Sequence, residues 1–145
     1  MEFVFIDVNI PMYAAGTEHE LKIPCGWIME EVVEGRLSAC IDTEIIQEVL
    51  YRYGAIHQWS VGARIARNLL DIIPTIYSVT PDDSYSTIEF FEISGPKGIP
   101  ARDCIHAAVM KTHGITKILT TDRHFDTIEG VIRLDPLLYY SQEFE

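Results

Sequence analysis

The chain has 145 residues, 48% of them hydrophobic and only 23% charged, which is enough to bury a sizeable core. Its formal net charge of −11 and pI near 4.8 argue against binding nucleic acid by bulk charge, because phosphate neutralisation needs Lys and Arg. No apolar run approaches the roughly 18 residues that read as a membrane span, and the opening MEFVFIDVNI has neither a basic segment nor a cleavage site. Cys25, Cys40 and Cys104 fall in no Cys-x-x-Cys pattern and read as buried thiols of a reducing cytosol, so one cytoplasmic domain over 1–145 is expected.

Residues 3–6 form an unbroken apolar run that stops at Asp7, the pattern of a central parallel strand buried on both faces. Asn9 is placed to cap a short helix in which Pro11 is tolerated. Residues 18–34 are helical in period, with Pro24 marking a kink or a late start and Gly35 the end. A second strand over 37–41 precedes the helix start Asp42-Thr43-Glu44. That helix carries Ile45, Ile46, Val49, Leu50 and Tyr53 on one arc, with Glu48 at its edge and Gly54 as its stop. Residues 60–71 continue as another helix, and 75–79 alternate as a third strand. Thr80-Pro81-Asp82-Asp83 opens a helix through Ile93, and SGPKGIP at 94–100 is expected to be the most mobile loop.

Residues 101–114, ARDCIHAAVMKTHG, lie between Pro100 and the closing Gly114 and predict a helix whose core arc is Cys104, Ile105, Ala108, Val109 and Thr112. Asp103 falls off that arc in the first turn, where the helix dipole favours a carboxylate whatever its role. A fourth strand over 117–119 exits through Thr120-Thr121-Asp122, and a fifth spans 131–134. Residues 137–145 have no assignment. The alternation predicts an α/β sheet with helices on both faces.

Open parallel sheets bind ligands beyond the carboxyl ends of their strands, which is where Asp7 and Asp122 fall. Glu48 and Asp103, early in helices, point to the same edge. Two carboxylates ~5 Å apart repel by roughly 3 kcal/mol at an effective dielectric of ~20. A divalent cation relieves that repulsion, and an all-oxygen set favours Mg²⁺ or Mn²⁺ over zinc. Each acid also has a plainer role available. Glu48 stands four residues before Arg52, the spacing of a helix-surface pair, and Asp122 suits a turn cap. Asp7 is the hardest to explain away, since a carboxylate ending a buried strand is costly unless paired or metal-bound. The five histidines form no metal-ligand spacing and read as structural or surface groups, with an indirect role for His106 a remoter option. The acid-free stretch 49–70 holds Arg52, Arg64 and Arg67 among Tyr51, Tyr53, His57 and Trp59, which suits a polynucleotide, a protein partner or an ordinary helical hairpin.

Four motifs carry a resemblance: D-V-N at 7–9, E-I-I-Q-E-V-L at 44–50, R-D-C-I-H-A-A-V at 102–109 and L-T-T-D-R-H-F at 119–125. In this order and spacing they resemble the PIN domain, nearest to the stand-alone VapC-like ribonucleases of toxin–antitoxin pairs. The resemblance implies a PIN-like three-layer sandwich with sheet order 3-2-1-4-5, Mg²⁺- or Mn²⁺-dependent cleavage of RNA, homodimerisation and a cognate antitoxin. Carried over, the metal-binding and catalytic acids are Asp7, Glu48, Asp103 and Asp122. Asn9 matches the family's polar residue after the first Asp, and Thr121 its polar residue before the last. His124 stands where members often carry a small, polar or acidic residue, which makes Asp126 the substitute candidate for an added ligand. Arg64 and Arg67 are the candidate RNA contacts outside the motifs.

Other activities fit less well. Asn at position 9 speaks against a haloacid-dehalogenase-type phosphatase, and no phosphate-binding P-loop pattern occurs. The alternative is a catalytically inactive PIN-fold binding subunit in RNA processing. The presence of all four acids speaks for turnover.

Overall fold

The computed structural model describes residues 3–144. The strands β1 (Val4–Ile6), β2 (Ala39–Asp42), β3 (Thr75–Tyr77), β4 (Lys117–Leu119) and β5 (Ile132–Leu134) form one sheet in the order β3-β2-β1-β4-β5. Every neighbouring pair is parallel, and Val4 faces Ala39 on one side and Lys117 on the other. The central position of β1 explains why its sequence is apolar without alternation, and Phe5 and Ile6 are wholly buried.

The helices are α1 (Asn9–Ala15), α2 (Lys22–Val33), α3 (Thr43–Ala55), α4 (Trp59–Ile72), α5 (Pro81–Ser94), α6 (Ala101–Thr112) and α7 (Pro136–Glu143). From β1 the chain steps outward through β2 to β3, then crosses back to β4 and on to β5. Right-handed crossovers put the connections on the two sides of such a sheet on opposite faces. The strand order reverses between β1 and β4, which opens a crevice at their carboxyl ends.

Several local expectations need correction. Asn9 is the first residue of α1 and does not cap it; its side chain reaches toward β4 instead. The second helix starts at Lys22, which puts Pro24 in its first turn, where a missing N–H is harmless. Gly54 does not end α3, which runs on to Ala55, and His57 makes the turn into α4 with a left-handed φ of 60°. The glycine this hairpin depends on is Gly62, where a Cβ would lie 2.7 Å from Cβ of Tyr53. The 94–100 loop contains a 3-10 turn over Gly95–Lys97, closed by Gly98 with a φ of 91°. Helix α7, unassigned from sequence, is capped by Asp135, whose carboxylate accepts from the Leu137 and Leu138 N–H groups. Its Tyr139 and Tyr140 pack on Trp27 of α2.

Helix α6 is buried well beyond the predicted arc. Asp103, His106, Ala107 and Met110 are covered as well as Cys104, Ala108 and Val109, because α6 packs against α5 while also meeting α3. Thr112, expected in the core, lies at the rim and donates to Asp83.

Candidate active site

Asp7 ends β1 beside the crevice and is almost fully buried. Its Oδ1 accepts the Val8 N–H at 2.8 Å, and its Oδ2 accepts the Thr120 hydroxyl at 2.7 Å and Asn9 Nδ2 at 3.2 Å. Asn9 Nδ2 also donates to Thr120 Oγ1, while its Oδ1 accepts the Thr121 N–H. Thr120 Oγ1 accepts the Asp122 N–H at 3.0 Å as well. One buried hydroxyl thus joins the exits of β1 and β4. Sequence reasoning favours Thr121, but its contribution is a backbone N–H; the side chain that touches Asp7 is Thr120.

Glu48 is buried on α3 and held from two sides. His106 Nε2 lies 3.4 Å from Oε1, and Arg52 donates to Oε2 from Nη2 at 2.9 Å and from Nε at 3.1 Å. The helix pair with Arg52 therefore forms, yet Glu48 remains part of the acidic cluster. Burial alone would raise its pKa; His106 and Arg52 together outweigh that and hold the carboxyl below its ordinary value.

His106, only a remoter option by sequence, lies at the centre of the site. It is fully buried, with Nδ1 2.8 Å from Asp42 Oδ2, while Asp42 Oδ1 caps α3 through the Ile45 N–H. Burial opposes its positive charge, but Asp42, Glu48 and Asp7 prevail and raise its pKa well above the ordinary value. A sign is present in the sequence: Asp42 starts α3, and His106 sits one turn after Asp103 on a helix expected to meet the same edge.

Asp103 and Asp122 face one another across the crevice, with His124 between them. Its Nδ1 lies 3.0 Å from Asp122 Oδ1 and 3.3 Å from Asp103 Oδ2. Asp122 also caps the 3-10 turn Arg123–Thr127 by accepting the His124 N–H at 2.9 Å. Burial first, then the charges of Asp7 and Asp122, push the Asp103 carboxyl up to about 7. Asp7 is raised too, chiefly by burial, with Glu48 adding to it.

The donor atoms of Asp7, Glu48 and His106 lie within 4.8 Å of one another, and so do those of Asp103, Asp122 and His124. Asp7 links the groups, since its charge is the largest acting on Asp103. Two buried carboxyls, both held above their ordinary range and close enough to act on each other, fit a divalent cation, which would replace their protons. Asp126 is not brought to this cluster: its carboxylate accepts from Arg133 Nε at 2.9 Å. Nor are Arg64 and Arg67, which are exposed on α4 without an ion pair among the described residues. Arg52 pairs with the cluster acid Glu48, while Arg102, next to Asp103 in the chain, pairs with Glu44 and lies over the Tyr51 ring at 5.1 Å.

Carboxylates gathered at the switch point of a 3-2-1-4-5 parallel sheet fit a PIN-type architecture. A family model of the PIN domain matches residues 4–131, and the chain belongs to that family. A VapC ribonuclease of Mycobacterium bovis is 28% identical over 131 residues, covering 90% of this chain and 98% of that protein. Ribonuclease VapC7 of Mycobacterium tuberculosis is 26% identical over 134 residues, covering 92% and 91%. Among solved structures, DNA-bound VapBC from Salmonella typhimurium matches with a TM-score of 0.71 at 14% identity, over 94% of this chain and 98% of that one. That structure shares the fold of this chain, whose strand order is the one expected from the motifs.

Proposed function

We propose that this chain is a VapC-like ribonuclease that hydrolyses RNA phosphodiester bonds with a divalent cation, Mg²⁺ or Mn²⁺, held by Asp7, Glu48, Asp103 and Asp122. What supports this reading is a pair of clusters, Asp7 and Glu48 with His106 and Asp103 and Asp122 with His124, linked by the charge of Asp7 acting on Asp103. When bound, the cation would activate water and offset charge on the phosphate. The chain's own residues prepare the site. Thr120 and Asn9 fix Asp7, His106 and Arg52 fix Glu48, and Asp122 is fixed by the turn it caps. Arg52 and Arg102 offer positive charge at the rim for the RNA backbone, with Arg64 and Arg67 extending that path along α4 and Asn9 and Thr121 lining its inner end.

The acidic surface suits a basic antitoxin partner. Tyr85, Ile88, Phe91 and Ile93, exposed on α5, supply apolar surface for a homodimer. Among the described residues no helix is long and apolar enough to cross a membrane. The test is cleavage of a labelled RNA by purified protein in Mg²⁺, in Mn²⁺ and in EDTA, with Asp7→Asn as control. Cleavage in metal that is lost in EDTA and in the variant is expected. A folded, metal-loaded protein that cleaves no RNA would return the chain to the binding-subunit alternative.

A further inference from the structure

We propose that His124 is a direct ligand of the divalent cation and that its imidazole shifts the site's preference from Mg²⁺ toward Mn²⁺ and Co²⁺. The inference rests on the metal-dependent reading above and names a ligand that the all-carboxylate set lacks.

The geometry of His124 is built by its neighbours. Its N–H is held by Asp122 Oδ1, its carbonyl accepts the Thr127 hydroxyl at 3.0 Å, and the adjacent Phe125 is anchored in the core. These contacts aim Nδ1 between Asp103 and Asp122, so that one nitrogen and two carboxylate oxygens lie within 4.8 Å of one another. The His124 side chain is 44% exposed and that of Asp103 only 8%, so the trio opens to solvent on one side and is walled on the other. The competing candidate, Asp126, is committed to Arg133.

The donor chemistry decides the metal. Mg²⁺ takes oxygen ligands and retains water, whereas imidazole nitrogen suits first-row transition ions, whose affinity for such sites rises along the series from Mn²⁺. A second arrangement makes the same short contacts: a protonated His124 paired with both carboxylates, occupying the ion's place and binding none.

Electron spin-echo spectroscopy of Mn²⁺ added to the full chain separates the two. Wild type is expected to show hyperfine coupling to a directly bound ¹⁴N, converted to the ¹⁵N pattern when histidine is isotopically labelled. His124→Gln should lose that coupling while retaining Mn²⁺, and its Mn²⁺-over-Mg²⁺ affinity ratio, read by calorimetry, should fall at least ten-fold. His124→Asp should shift the ratio the same way by tightening Mg²⁺. Mn²⁺ bound to wild type without nitrogen coupling, or a coupling that survives in His124→Gln and so belongs to His106, overturns the inference and leaves the metal-dependent reading standing. Failure of wild type to bind Mn²⁺ at all, or binding undiminished in Asp103→Asn, overturns both.

Discussion

Nδ1 of His106 lies 2.8 Å from Oδ2 of Asp42, and the other oxygen of that carboxylate caps α3 at the Ile45 N–H. One buried contact thus ties α6 to the β2–α3 junction and sets the distance from His106 to Glu48. Removing the cation from between two buried carboxylates should destabilise the fold by about 3–5 kcal/mol. His106→Leu should therefore shift the urea midpoint strongly. His106→Gln, whose amide nitrogen can still donate to one of the two carboxylates, should lose less stability and still cleave RNA at least ten-fold more slowly than wild type. A His106→Leu protein as stable and active as wild type would mean that the buried chain is dispensable.

The pH dependence of stability follows from the directions of the shifts. Asp103 keeps its proton in the folded state up to about 7 but releases it near 3.8 when unfolded, so its contribution falls as pH rises between those values. Asp7 acts in the same direction. His106 is raised, so its contribution is complete below the unfolded value of 6.5 and is lost as pH rises through its higher folded value. Glu48 and Asp83 are lowered, and their contribution disappears as pH falls below the unfolded values of 4.5 and 3.8. Melting in metal-free buffer should peak near pH ~4 and decline from there toward pH ~8. Asp103→Asn should flatten that decline.

Thr120 and Thr121 are adjacent but should behave oppositely. Thr120→Val removes a hydroxyl that serves Asp7, Asn9 and Asp122, and losing such buried partners costs about 1–3 kcal/mol. Cleavage should drop with it. Thr121→Ala leaves the backbone N–H to Asn9 intact and should melt near wild type. Equal effects at the two positions would contradict the hydrogen-bond pattern.

Asp122→Asn can still cap the 3-10 turn, and it removes one of the charges that raise the Asp103 pKa. In EDTA it should melt higher than wild type, by about 3 °C for each 1 kcal/mol relieved. Saturating Mn²⁺ should stabilise wild type by about 2.7 kcal/mol at a hundred-fold excess over Kd, and the variant by less. Thermal scans with and without metal decide this. A variant that melts lower in EDTA and gains as much from metal would make Asp122 a turn residue alone.

Arg64 and Arg67 are exposed and make no ion pair among the described residues. Reversing both to Glu should weaken RNA binding and flatten the slope of log K against log salt, by about 0.7 for each single-strand phosphate that is no longer neutralised. An unchanged slope would leave Arg52 and Arg102 as the cations that RNA meets.

The central strand, the helix–strand alternation and the four acids are legible because each is a local pattern: an apolar run ending in Asp7, a start signal at Asp42, and Pro100 and Gly114 around α6. Composition and periodicity suffice for the fold class, and the strand order comes from the family that the four motifs resemble. What only the tertiary structure decided is who meets whom. His106 looks inert in the sequence because its partners lie 64 and 58 residues away, on elements whose approach no local pattern encodes. Thr120 and Thr121 are the same residue type, so only the side to which the strand exit turns each one selects Thr120 for Asp7. By sequence Asp126 is the candidate ligand and His124 a structural or surface group, an order that holds until Arg133 takes the first and the Asp122 cap aims the second. Local sequence determines which residues can form an element and which groups can ionise. The choice among long-range partners follows from the packing of α6 against α3 and α5, and from the meeting of β1 and β4 at the crevice.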